Sequence, residues 1–213
     1  MLKSNENISC AVLAGGKSRR MDGQNKAFIE VGCKTNLEKL ILLSDRLFAE
    51  TLVISNIKDL YKKYTNIKVY PDIIKDIGPL GGIHSAITNA KGDAVFFFPC
   101  DMPFINQELV KKEIEEFYKN DCDIIIPRIN DLIEPLHSIY SVSVLQKLTS
   151  HLENLKNYSI RNFYKKVKVY YWDLEDNEEN RMSFVNINTH KDLKRAENIS
   201  IAIKNKKPNS DNL

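Results

Sequence analysis

The chain has 213 residues, 43% of them hydrophobic and 28% charged, which suits one globular domain with a sizeable core and excludes wholesale disorder. Its 31 basic and 28 acidic side chains leave a formal net charge of +3, too small for a general nucleic-acid binder. Residues 1–7 are mostly polar and hold no apolar signal core, no run is long enough to span a membrane, and Cys10, Cys33, Cys100 and Cys122 share no metal-type spacing, so reduced thiols and a cytoplasmic address are expected.

Apolar strand-type runs alternate with helix-period segments through most of the chain, the pattern of an α/β fold whose mainly parallel sheet is covered by helices on both faces. The first run, Ile8–Leu13, leads into Ala14, Gly15 and Gly16, where the backbone can come unusually close to a ligand. Lys17, Arg19, Arg20 and Lys26 follow closely, and cations around unshielded backbone N–H groups suit a phosphate chain. A P-loop is excluded because its leading glycine would fall at Ala11, and a dinucleotide fingerprint is excluded because Gly15-Gly16 lacks the third glycine.

Asn36 is placed to cap a helix with Leu37, Leu40, Ile41, Leu43, Leu47 and Phe48 on one stripe. A strand over 51–55 then ends beside Asn56, in the position where open α/β sheets bind ligands. Residues 57–65 read as a short helix and 67–70 as a strand closed by Pro71-Asp72. The stretch Gly78-Pro79-Leu80-Gly81-Gly82 is expected directly before a helix over 83–90, either as a simple turn or as a surface for a flat base or a phosphate.

Residues 94–98, with three consecutive phenylalanines, form the most apolar strand, and Asp101 follows it between Pro99 and Pro103. That carboxylate is the candidate magnesium ligand, since magnesium takes one or two protein carboxylates with water and phosphate oxygens; the alternative is a turn aspartate. A helix over 106–118, a strand over 123–127, a polar loop and a strand over 134–140 come next. His137 within that strand is either a substrate contact or a structural histidine.

Helices over 142–155 and 159–164, a strand over 167–172 and an exposed acidic loop over 175–179 lead to the extended segment 183–189. There Asn186 and Asn188 share a side at spacing two; helix capping accounts for one of them and paired amides facing a polar heterocycle for both. A last helix over 191–203 closes a single domain, 1–203, before a polar tail, 204–213, expected to fray.

Leu13-Ala14-Gly15-Gly16-Lys17-Ser18-Arg19-Arg20-Met21 with Lys26, Asp72 before Gly78-Pro79-Leu80, Pro99-Cys100-Asp101-Met102-Pro103, Pro135-Leu136-His137 and Phe184-Val185-Asn186-Ile187-Asn188-Thr189 together resemble the molybdenum cofactor guanylyltransferases, over about residues 8–198. The resemblance implies a Rossmann-like three-layer sandwich of the nucleotidyltransferase type. It implies GTP and molybdopterin as substrates, Mg2+ as the metal, and other molybdenum cofactor biosynthesis proteins as partners. It places Leu13, Ala14, Gly15, Gly16 and Lys26 at the nucleotide with Asn56, Asp72, Gly78 and Leu80, Asp101 on the metal, and Asn186 and Asn188 at the pterin, with Arg20 and Lys26 offsetting triphosphate charge. Asp22 and Asn25 stand where the family commonly has glycine and aspartate. Cytidylyl transfer, transfer to a sugar or polyol phosphate, and a non-catalytic GTP-binding module are the competing readings.

Overall fold

The computed structural model describes residues 7–15, 25–153 and 158–206. In chain order its elements are β1 (Ile8–Leu13), the ribbon β2 (Glu30–Val31) and β3 (Lys34–Thr35), α1 (Asn36–Leu47), β4 (Thr51–Ile54), β5 (Lys68–Tyr70), α2 (Pro79–Asn89) and β6 (Ala94–Pro99). They continue with α3 (Gln107–Lys119), β7 (Ile124–Ile129), β8 (Leu132–Ile133), β9 (Ser138–Ser141), α4 (Leu145–Glu153), α5 (Ile160–Tyr164), β10 (Val169–Asp173), α6 (Glu178–Ser183) and α7 (His190–Lys206).

The main sheet has the order β10-β7-β9-β6-β1-β4-β5, with β8 paired to β7. β1 runs parallel to both β4 and β6, and β10 parallel to β7, whereas β9 lies antiparallel between β6 and β7. β6 is buried along its whole length, as a strand covered on both faces must be, and its run of phenylalanines serves both layers. Phe96 and Phe98 stack at 4.4 Å on the face covered by α1 and α3. Phe97 points to the other face, where Leu80, Ile83, Leu148 and Phe163 from α2, α4 and α5 pack. The chain is therefore a three-layer α/β sandwich.

Two local expectations change. Thr35, not Asn36, caps α1: its hydroxyl accepts from the Glu38 N–H while the Glu38 carboxylate accepts from the Thr35 N–H, so two orphan donors are satisfied reciprocally. The glycine-rich stretch does not precede its helix but begins it, with Gly78 as the cap residue at φ 68° and Pro79 at the first helical position. Gly81 and Gly82 lie buried inside α2 because the helix presses onto its neighbours; a Cβ on Gly81 would stand 2.7 Å from the Ile74 carbonyl oxygen, and one on Gly82 3.1 Å from Leu13 Cδ2. Smaller shifts are that the acidic segment contributes α6 and that the last helix runs on through Lys206.

His137 belongs to the core. It is fully buried, with Phe96, Phe98 and Phe184 meeting its ring edge-to-face at 5.1–5.4 Å. The equally buried Glu113 of α3 brings Oε2 to 3.4 Å from Nε2, outside hydrogen-bonding geometry. Burial raises the Glu113 carboxyl well above its usual range and pushes His137 down to about 3, in each case by favouring the neutral form. Above the ordinary carboxyl value of 4.5 the unfolded chain releases a proton that the folded chain keeps, so this group makes stability fall as pH rises. Below 6.5 the unfolded chain binds a proton that buried His137 refuses, so stability falls there as pH drops. Glu113→Gln removes only the first effect. Its stability relative to the parent is expected to improve as pH rises above 4.5, by up to about 1.4 kcal/mol per pH unit, measured by urea denaturation across pH. A difference that does not vary with pH would refute the neutral, buried carboxyl.

Candidate active site

The C-terminal ends of the parallel strands gather residues far apart in sequence. β1 ends at Leu13, and the Ala14 N–H continues the pairing to the Ile54 carbonyl at 3.0 Å. Gly15 is exposed, and a Cβ there would make only an ordinary 3.7 Å contact with Ile54 O. The described protein thus leaves space at this glycine, in keeping with close approach by a ligand. Gly16 and Arg20 lie outside the described residues, as does Asp22.

At the ends of β4 and β5, Asn56 and Asp72 join in a reciprocal pair: Asn56 Nδ2 donates to Asp72 Oδ2 at 2.9 Å, and the Asp72 N–H donates to Asn56 Oδ1 at 3.1 Å. Asp72 Oδ1 would lie 3.7 Å from a Cβ on Gly82, so this pair sits against the first turns of α2. Gly78 is exposed at the head of that helix, but the Leu80 side chain is completely buried among core residues and can offer a ligand only its main chain.

Lys26 opens a short 3-10 turn capped by Asn25, whose Oδ1 accepts from the Ala27 N–H at 3.0 Å and whose Nδ2 donates to Tyr61 Oη at 3.1 Å. The Lys26 ammonium donates to Asp101 Oδ2 at 2.9 Å and to Asn188 Oδ1 at 2.6 Å. The turn after β6 carrying Asp101 is pinned from two sides. The Ile187 N–H donates to the Asp101 carbonyl at 2.9 Å, and Asn36 Nδ2 donates to the Cys100 carbonyl at 3.2 Å and to the Lys26 carbonyl at 3.4 Å. Buried Asn36 therefore clasps the Lys26 turn to the Asp101 turn, a role its place in the sequence does not reveal.

Asn186 and Asn188 flank fully buried Ile187. Capping of α7 falls to Thr189, whose hydroxyl accepts from the Asp192 N–H at 3.2 Å while Asp192 Oδ2 accepts from the Thr189 N–H at 2.9 Å. The Asn188 side chain is left for Lys26. Asn186 Nδ2 reaches the Phe184 carbonyl at 3.3 Å.

Glu134 is a feature absent from the sequence-based set. It is half-buried just before β9, and burial together with the negative charge of Asp101 pushes its carboxyl up to about 7. It lines a cavity of about 260 Å³ between the β7–β8 hairpin and α6. Asp176 ties that wall together, receiving Arg181 Nη2 at 2.6 Å and Asn130 Nδ2 at 2.8 Å. A larger cavity of about 480 Å³ lies on the opposite sheet face beneath α5 and includes none of the expected site residues. Cys100 adjoins Asp101, but burial raises its thiol to about 12, which makes it a poor nucleophile. Among the described residues no group of three or more His, Cys, Asp and Glu could form a metal cage, and no helix is long and apolar enough to cross a membrane.

Residues 10–169 match the family model of the MobA-like NTP transferase domain. A molybdenum cofactor guanylyltransferase of Vibrio parahaemolyticus is 37% identical over 190 residues, covering 87% of this chain and 92% of that protein. A probable molybdenum cofactor guanylyltransferase of Clostridium perfringens is 39% identical over 158 residues, 74% of this chain and 77% of its own length. Among solved structures, the molybdopterin-guanine dinucleotide biosynthesis protein A of Archaeoglobus fulgidus superposes with a TM-score of 0.77 at 28% identity, covering 91% of this chain and 99% of that one.

Proposed function

The chain belongs to the MobA-like NTP transferase family and is a nucleotidyltransferase, and from that premise we propose that it transfers GMP from GTP to molybdopterin, releasing pyrophosphate and forming the guanine dinucleotide of the cofactor. The carrying observation is the convergence of Lys26, Asp101 and Asn188, three segments distant in the chain, on one point at the strand ends. An oxygen of the molybdopterin phosphate attacks the α-phosphorus of GTP, and the bond from that phosphorus to the bridging oxygen of pyrophosphate breaks. The nucleophile is already an anion, so the protein needs no general base; its work is to align two anions and offset their charge.

Lys26 and Arg20 supply positive charge at the triphosphate, and Gly15 and Gly16 supply backbone N–H donors that no side chain shields. Asn56, Asp72, Leu13, Ala14, Gly78 and the main chain at Leu80 form the nucleotide flank. Magnesium fits the donor set: Asp101 and Asn188 offer hard oxygens that already converge on one cation, the Lys26 ammonium, at 2.9 and 2.6 Å. When bound, the metal neutralises charge on the phosphates. We place the reaction in the cytoplasm and expect the product to pass to other proteins of cofactor biosynthesis.

Pyrophosphate release with molybdopterin, Mg2+ and either GTP or CTP tests the reading. GTP is expected to support turnover at least about tenfold faster than CTP, the discrimination available from one lost base hydrogen bond. Equal use of CTP would replace guanylyl by cytidylyl transfer. Nucleotide binding without pyrophosphate release would mark a non-catalytic module, and turnover only with a sugar phosphate would move the acceptor.

A further inference from the structure

The cavity beside Glu134 and the nucleotide flank lie on opposite sides of Asp101. Asn56 and Asp72 end β4 and β5, which extend the sheet from β1 on one side of β6; Glu134 precedes β9, which extends it on the other. Pro127, Ile129, Leu132 and Phe184 give the cavity apolar walls, Glu134 provides a carboxyl, and Arg181 stands on the α6 side. Phe184, which lines the cavity, accepts at its carbonyl from Asn186 Nδ2 at 3.3 Å, so the cavity adjoins the segment that carries Asn186 and Asn188. Pockets for drug-sized ligands measure ~300–1,000 Å³. At about 260 Å³ this one suits a single bicyclic ring, not a whole nucleotide.

We propose that this cavity receives the bicyclic pterin part of the acceptor and that Glu134 is the residue that recognises it, by accepting hydrogen bonds from the adjacent amino and ring N–H groups of its 2-aminopyrimidinone edge. The proposal rests on the acceptor being a pterin. A carboxylate presents two oxygens to two parallel donors, the fork geometry that makes such pairs selective. The apolar walls cover the ring faces, and Phe184 lies beside the asparagines expected on the acceptor side. Guanine carries the same edge, so the chemistry alone serves either substrate; the position across Asp101 from Asn56 and Asp72 assigns it to the acceptor.

The test titrates the intrinsic fluorescence of 6-hydroxymethylpterin with the parent protein, with Glu134→Gln and with Leu132→Asp, alongside GTP binding to each. Glu134→Gln is expected to weaken the pterin by at least about tenfold, as for a lost hydrogen bond to a charged group, and to leave GTP binding within about twofold. Leu132 is 75% exposed on the rim, so Leu132→Asp leaves the fold intact; a several-fold loss of pterin binding there supports the same cavity. Absence of pterin binding to the parent, equal pterin binding by parent and Glu134→Gln, or a loss confined to GTP each overturns the proposal. Failure of the guanylyltransferase reading shows separately, as absent pyrophosphate release by the parent protein.

Discussion

Asp101→Ala is expected to lower pyrophosphate release with GTP, Mg2+ and molybdopterin by about a thousandfold or more, because it removes the carboxylate around which the charged part of the site is assembled. The fold should be nearly indifferent. In the described structure the Asp101 side chain makes one ion pair, to Lys26, with both side chains about one-fifth exposed (19% and 18%). Such a pair contributes ~1 kcal/mol or less, and the contacts that hold the turn, from Ile187 and Asn36, go to main-chain carbonyls that alanine keeps. Asp101→Asn should be as inactive as alanine, since its shape is retained and its charge is not. Turnover measured beside a thermal melt decides: full activity in either variant would remove Asp101 from the metal site, and a large loss of stability would make the activity uninformative about chemistry.

Lys26→Met should cost on the order of a hundredfold to a thousandfold in kcat, with a smaller rise in KM for GTP, as expected of a cation whose interaction strengthens as charge moves onto the leaving pyrophosphate. The ammonium donates to Asp101 and Asn188, so Lys26 serves as counter-cation to the Asp101 carboxylate. On the proposed reading, a bound triphosphate draws the lysine from that position and leaves its two oxygen partners to a divalent ion. Lys26 and Asp101 then act as one unit. The double variant should be scarcely slower than Asp101→Ala alone, the non-additivity seen when two residues share a step; additive losses would show that they act independently. Lys26→Arg should recover part of the rate, because charge is restored but the compact point cation is not.

Much of this site is legible in sequence order because its parts are local. An apolar strand leading into Gly15, a buried strand leading to Asp101, and two asparagines at spacing two each declare themselves within a few residues. Fully buried Ile187 between Asn186 and Asn188 is the structural counterpart of that spacing. Other parts are harder to read for definite reasons. Thr35 and Asn36 are both good caps, and only the three-residue spacing from Thr35 to Glu38 favours the former; once Thr35 takes the cap, Asn36 is free to clasp the two turns. The start of α2 is obscured because glycines oppose a helix interior, and only tertiary packing against Ile74 and Leu13 explains Gly81 and Gly82 there. Glu134 has no local mark at all. Its proximity to Asp101 arises from strand order, which no short stretch of residues encodes.

The reversed strand β9 has a bearing on how such an enzyme can diversify. Parallel strands hand the loops that follow them to the reactive edge of the sheet, but β9 runs the other way, so it is the chain entering it, Glu134 to His137, that arrives there. β6 consequently stands at a seam. On one side, β1, β4 and β5 present the flank proposed for the nucleotide; on the other, an inverted strand, the hairpin before it and α6 shape a separate compartment. Insertions or substitutions in that hairpin can remodel the second compartment while the first stays in register, so an ancestral scaffold can keep its triphosphate chemistry and exchange one acceptor for another.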